Sequence, residues 1–61
     1  MPKHKPTNSM IAWALSCAVL GDWTISEEVE ADCENTGYIE PDKSYNMGQL
    51  AFDILYDRLK G

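Results

Sequence analysis

Carboxylates are the most concentrated reactive groups in this sequence. Eight acidic residues lie between positions 22 and 42, a stretch that contains no lysine or arginine. The whole chain has ten acids against five Lys and Arg residues and a formal net charge of -5. A surface of this sign repels nucleic-acid phosphates and anionic membranes and attracts basic partners. We therefore expect a basic protein surface as the partner, with no direct contact to nucleic acid or membrane.

Three of these acids, Glu27, Glu30 and Glu34, are spaced so that one face of a helix presents them together. Like charges at such a spacing cost a helix up to about 0.5 kcal/mol each. One interpretation is that the carboxylates stand in for backbone phosphates and occupy the basic groove of a nucleic-acid-binding protein or enzyme. The predicted partner-binding residues are Glu27, Glu28, Glu30, Asp32, Glu34, Glu40 and Asp42.

Other interpretations of the same stretch stay open. Acids in the first turn favour the helix dipole, and the remaining acids could simply solvate an exposed face. A helix-turn-helix with Gly21 in its turn is disfavoured, because its reading helix would carry five acids and no base. Small acidic inhibitors encoded by phages and plasmids often act as phosphate mimics, a comparison based on composition and size. We predict a protein that binds and modulates or inhibits a macromolecule; the alternative is a small dimerising structural or adaptor protein.

Catalytic and metal-binding residues are not arranged in any recognised pattern. The only histidine, His4, lies in a segment rich in proline and lysine, so no serine has a base on a predicted helix. Cys17 and Cys33 do not have the spacing of zinc ligands. A bridge between them is geometrically conceivable, but their helical settings predict two free thiols. We expect a protein that is not an enzyme and has neither metal nor cofactor.

The first twenty residues imitate a signal peptide, because Lys3 and Lys5 precede an apolar run over 10–20. Eleven apolar residues are too few to span a bilayer of about 30 Å. Cleavage within the run would also leave a fragment too short to fold readily. We therefore predict a cytoplasmic protein in which both thiols stay reduced.

Three helices are predicted to position the acidic residues. The first covers about 10–20, with Asn8 or Ser9 as its N-cap and Gly21 as its C-cap. The second covers about 25–35, starts at a capping box over 24–27 and is stopped by Asn35, Thr36 and Gly37. The third covers about 44–60, after a linker that Tyr38 and Ile39 anchor to the core. Residues 1–8 are predicted to form a disordered basic tail and 9–61 a single domain.

Size and hydrophobic patterning together predict self-association. A 61-residue chain has a small core, and such chains commonly rely on disulfides, a metal or a partner subunit. The first helix is apolar on every side apart from Ser16, and the third has a wide apolar face built on Leu50, Ala51, Ile54 and Leu59. The predicted fold is therefore an all-α, three-helix domain that is completed by dimerisation.

Overall fold

A computed structural model describes residues 4–60 and contains three α-helices: α1 over Asn8–Leu20, α2 over Glu27–Thr36 and α3 over Met47–Lys60. Residues 4–60 contain no strand, and the predicted all-α class with three helices is confirmed. None of these helices is long and apolar enough to cross a membrane.

The first helix begins earlier than its sequence predicts, because Thr7 is its N-cap. The Thr7 hydroxyl accepts a hydrogen bond from the Met10 N–H at 3.2 Å, and the Thr7 N–H donates to Met10 Sδ at 3.5 Å. The prediction of Asn8 or Ser9 as the cap is therefore wrong. Gly21 is the C-cap, as predicted, with a φ of 71° that a side chain would disfavour.

The second and third helices both begin later than predicted. Ser26, and not Thr24, caps α2 by accepting a hydrogen bond from the Val29 N–H at 3.3 Å. The predicted capping box is wrong: the Thr24 hydroxyl donates a bond of 3.1 Å to Asp22, and the Thr24 carbonyl accepts one of 2.6 Å from the Trp13 indole N–H. In α3 the start moves from 44 to 47, because the Asn46 side chain accepts a bond of 3.0 Å from the Gln49 N–H.

Helix α1 lies between the other two and packs against both. Within residues 4–60, α2 and α3 share no close backbone contact with each other. The hydrophobic core consists of ten buried side chains from all three helices and the α2–α3 connection. They are Met10, Trp13, Ala14, Cys17, Val29, Cys33, Ile39, Leu50, Ala51 and Ile54.

The apolar faces of α1 and α3, which were predicted to drive dimerisation, are only partly buried in the core. In α3, Leu50, Ala51 and Ile54 lie in the core, but Leu59 is 87% exposed. Its position differs from the prediction because α1 covers only one side of α3. Large apolar side chains also remain exposed on α1, where Val19 is 78% exposed.

Two hydrogen bonds link α2 and α3, which share no close backbone contact, through the connection between them. The Tyr38 hydroxyl, just after α2, donates to Asp57 on α3. The Tyr45 hydroxyl, just before α3, donates to Glu30 on α2 at 2.9 Å. Ile39 is buried and Tyr38 packs against the core, so the predicted anchoring of the connection is confirmed. Both ends of the α2–α3 connection are thereby attached to helices.

The basic segment before α1 is only partly within the described residues, since 1–3 lie outside them. The His4 backbone N–H donates a hydrogen bond of 3.0 Å to the Thr36 carbonyl at the end of α2. Thr7 caps α1, and Asn8 is already helical. Residues 4–8 therefore run past the C-terminal end of α2, whereas a tail that extended to residue 8 was expected.

Candidate functional site

The seven predicted binding residues divide into two groups by their exposure. Glu27, Glu28 and Glu34 on α2, and Glu40 and Asp42 in the connection, have exposed side chains. We call these five residues the acidic surface. Glu30 and Asp32 are half-buried and flank the core side of α2, so Glu30 is not at the centre of an exposed face as its spacing suggested.

The two half-buried acids hold neighbouring elements in place. Glu30 accepts the hydrogen bond from Tyr45, and Asp32 accepts one of 3.2 Å from the Thr7 hydroxyl. Burial, followed by the bond to Glu30, raises the pKa of the Tyr45 hydroxyl, which therefore stays protonated and can donate. These two carboxylates stabilise the fold by accepting hydrogen bonds from neighbouring elements, whereas the five members of the acidic surface face solvent.

A pocket of about 560 Å³ lies where residue 4, the end of α2 and the connection meet. Three members of the acidic surface, Glu34, Glu40 and Asp42, line it. The exposed Pro41 also lines this pocket, with the buried Ile39 behind it. The fold therefore brings an acid on α2 together with two acids that are six and eight positions further along the chain.

The cap of α2 explains why the chain can form this pocket. Gly37 has a φ of 88°, and its N–H bonds the carbonyls of Cys33 and Glu34. This left-handed residue reverses the chain direction directly after the helix, so that 38–43 turns back beside the last turn of α2. The Thr36 hydroxyl donates to the Asp32 carbonyl at 2.8 Å and further secures this turn.

Basic groups are scarce around the pocket but present. Lys43 lines it and forms an ion pair of 3.1 Å with Glu40, in which both side chains are largely exposed. An exposed pair of this kind contributes at most about 1 kcal/mol and is readily exchanged for another cation. The last turn of α2 carries no basic residue, so the negative end of its dipole adds to the field of Glu34.

The two cysteines are free and buried, in agreement with the predicted free thiols. Burial, followed by the nearby carboxylates of Asp32, Glu30 and Glu34, raises the pKa of the Cys33 thiol to about 11. Burial also raises the pKa of Cys17. Thiols in such settings are poor nucleophiles at neutral pH. Among residues 4–60, no group of three or more His, Cys, Asp and Glu side chains could hold a metal ion.

Sequence patterns alone missed the pocket and the interior role of two acids. The pocket depends on a left-handed residue that turns the connection back along α2, a geometry without a fixed residue spacing. One signal for the bond from Tyr45 to Glu30 was available, since a tyrosine that packs against a core needs a partner for its hydroxyl. In comparisons with known proteins, no family model, curated protein or solved structure matches this chain.

Proposed function

We propose that this protein is a small cytoplasmic binding protein that uses its acidic surface to attach to a basic surface of a macromolecule and thereby modulates or inhibits it. The observation that carries the proposal is the pocket at the end of α2, around which Glu34, Glu40 and Asp42 gather. Glu27 and Glu28 extend the same sign of charge to the start of the helix. Carboxylates held along a rigid helix present negative charge to a groove that accommodates phosphates.

The chemistry of the pocket favours lysine or arginine side chains as its occupants. Such a side chain has an aliphatic stem and a cationic head, and it buries the stem while the head stays near polar groups. The exposed Pro41 supplies apolar surface for the stem, and the three carboxylates supply charge for the head. A partner's cation that binds Glu40 would displace the exposed Lys43 from it.

A labelled arginine-rich peptide is the probe that tests this proposal, with fluorescence anisotropy as the measurement. The double variant Glu27→Gln/Glu34→Gln should bind the peptide about 5- to 100-fold more weakly than the wild type, which corresponds to about 1–3 kcal/mol. Raising the salt concentration should weaken wild-type binding more than binding by the variant, because the screened attraction is already reduced in the variant.

The matched control is the double variant Asp22→Asn/Asp53→Asn, which changes the net charge equally but at positions outside the acidic surface. Binding by the control should stay within about threefold of wild type, since neither residue lines the pocket and salt screens more distant surface charges. Equal losses in the two variants would mean that only net charge attracts the peptide, and the proposed surface would then be abandoned. Circular dichroism establishes that each variant is folded.

Self-association is a second proposal, and the exposed large apolar side chains of α1 and α3 favour it. We propose that two copies form a homodimer and bury these side chains. A dimer would also fit the alternative role of a structural or adaptor protein. Light scattering at micromolar concentration measures the mass, and a monomer mass contradicts the dimer. The binding proposal does not depend on that result, because the peptide assay needs only one chain.

A further inference from the structure

A histidine lies at the pocket at the end of α2, among the carboxylates that give the pocket its charge. His4 lines the pocket together with Glu34 of α2 and with Glu40 and Asp42 of the connection. It is the single histidine of the sequence. Histidine is the side chain whose charge ordinarily changes between about pH 5 and 8. The pocket therefore combines three acids with one group that becomes a cation when the pH falls through this range.

The position of His4 is fixed by bonds that its ring does not make. The His4 backbone N–H donates a hydrogen bond of 3.0 Å to the carbonyl of Thr36, the last residue of α2. At the other end of the same segment, Thr7 caps α1 and donates its hydroxyl to Asp32 of α2 at 3.2 Å. Segment 4–7 is thus attached to α2 at both ends, which holds the imidazole at the pocket whatever its charge.

The other charged groups around His4 belong to α2, to the connection and to its own segment. They are Glu34, Glu40, Asp42, Lys43 and Lys5. Carboxylates of this kind ordinarily stay ionised, and lysines protonated, over most of the range in which histidine titrates. Of the side chains that line the pocket, His4 is therefore the one whose charge changes near neutral pH.

From this placement we propose that His4 is a pH-dependent internal competitor for the pocket, so that its protonation weakens the attachment of a basic partner. The inference rests on the proposed function and adds its regulation. An imidazolium beside the three carboxylates offsets part of their negative field and repels a partner's lysine or arginine. The neutral imidazole does neither, so the attachment is strongest above the titration of His4 and weakens as the pH falls through it.

Lys43 provides a matched comparison, because it is a cation at the same pocket that does not respond to pH in this range. It pairs with Glu40 at 3.1 Å, and both side chains are largely exposed. Lys43→Gln should therefore strengthen binding of a basic partner at every pH and leave the pH dependence in place. His4→Gln should remove the pH dependence and retain the bond from the backbone N–H to Thr36.

Fluorescence anisotropy at low salt tests the proposal, with a labelled arginine-rich peptide that has blocked ends and no histidine. Wild-type binding should be about three- to fivefold weaker at a pH of about 5.5 than at about 7.8. Binding by His4→Gln should change by less than about 1.5-fold between the same conditions. His4→Lys, which carries a cation at both, should bind weakly at both. Circular dichroism verifies that each variant is folded at each pH.

Proton release provides a second readout that a purely structural role of His4 would not change. Because coupling between two ligands is reciprocal, a peptide that binds less well to the protonated pocket must displace protons from it. Calorimetric titrations near pH 6.5, in two buffers that differ in ionisation enthalpy, count these protons. The wild type and Lys43→Gln should release a fraction of a proton for each peptide bound, and His4→Gln should release less.

The outcomes separate this inference from the proposed function. A wild-type chain that binds no peptide at either pH, or whose binding Glu27→Gln/Glu34→Gln leaves unchanged, contradicts the proposed function and the role of His4 together. Binding that depends on the acidic surface but has the same pH dependence in wild type and His4→Gln preserves the proposed function and overturns the role of His4. A pH dependence that is lost in His4→Gln and retained in Lys43→Gln supports it.

Discussion

The outward faces of α2 and α3 differ in chemistry although both helices pack against the same α1. Helix α2 turns Glu27, Glu28 and Glu34 to solvent, whereas α3 turns Phe52 and Leu59 outward. A partner on the α2 face would be attracted by charge, which salt screens, and one on the α3 face by removal of apolar surface from water, which salt does not screen. A chain of 61 residues thus has two outward surfaces with separate physical requirements.

The inward faces of the same helices differ in how much they contribute to stability, and substitution of one core residue on each should make this measurable. Ile54→Ala should lower the free energy of unfolding by about 2–5 kcal/mol, because Ile54 is fully buried. Val29→Ala should cost about 1.5 kcal/mol, since it removes two methyl groups at about 0.8 kcal/mol each from a site that is 8% exposed. Urea denaturation measures both values, and a larger loss for Val29→Ala would reverse the comparison.

Burial and the carboxylates of α2 together change the titration of the Cys33 thiol, and alkaline pH should reveal this. The pKa of Cys33 rises from 9.0 to about 11 in the folded chain. The unfolded chain therefore releases the thiol proton first, so the associated stability is fully present below pH 9.0 and is lost as the pH rises towards 11. At about 1.4 kcal/mol for each unit of pKa, the loss is of the order of 3 kcal/mol.

The variant Cys33→Ala isolates this effect from the titration of Tyr38 and Tyr45, whose pKa values are also raised. Its unfolding free energy should be lower than that of the wild type at neutral pH, because a buried side chain is shortened. Between pH 9.0 and 11 it should fall less steeply than that of the wild type. Parallel curves for the two proteins would show that the Cys33 thiol does not contribute to the pH dependence.

The smallest expected effects separate the two ends of the acidic helix. Glu27 lies in the first turn of α2, where its charge favours the dipole, and Glu34 lies near the end, where its charge opposes it. Glu27→Gln should therefore lower stability by about 0.3–1 kcal/mol at low salt, and Glu34→Gln should raise it by a similar amount. Thermal unfolding at two salt concentrations tests this, and effects of equal sign that persist at high salt would contradict the dipole explanation.

The all-α class and the order of the helices could be predicted from the sequence, because C-cap glycines and apolar periodicity are local signals. Gly21 and Gly37 end α1 and α2 as predicted. The helix starts were less predictable, since the Thr24 carbonyl is engaged by Trp13, which lies eleven positions earlier. Such a bond depends on the packing of two helices, which no local pattern encodes.

The candidate site was predictable in composition but only partly in geometry. Charge counting finds the acids of α2 and the connection, and all five members of the acidic surface were predicted. It does not separate Glu30 and Asp32 from them, because their exposure depends on the positions of Tyr45 and Thr7. The pocket likewise forms only when residue 4 and the connection meet at the end of α2.

The two tyrosines that flank the α2–α3 connection have a consequence for binding entropy. Tyr38 is held by Asp57 and Tyr45 by Glu30, so the segment between them is fixed at both ends. Ordering a residue's backbone costs about 1–2 kcal/mol, and a segment held in this way has met most of that cost when the chain folds. A ligand that meets Glu40 and Asp42 would therefore find a preformed loop and would not have to immobilise it.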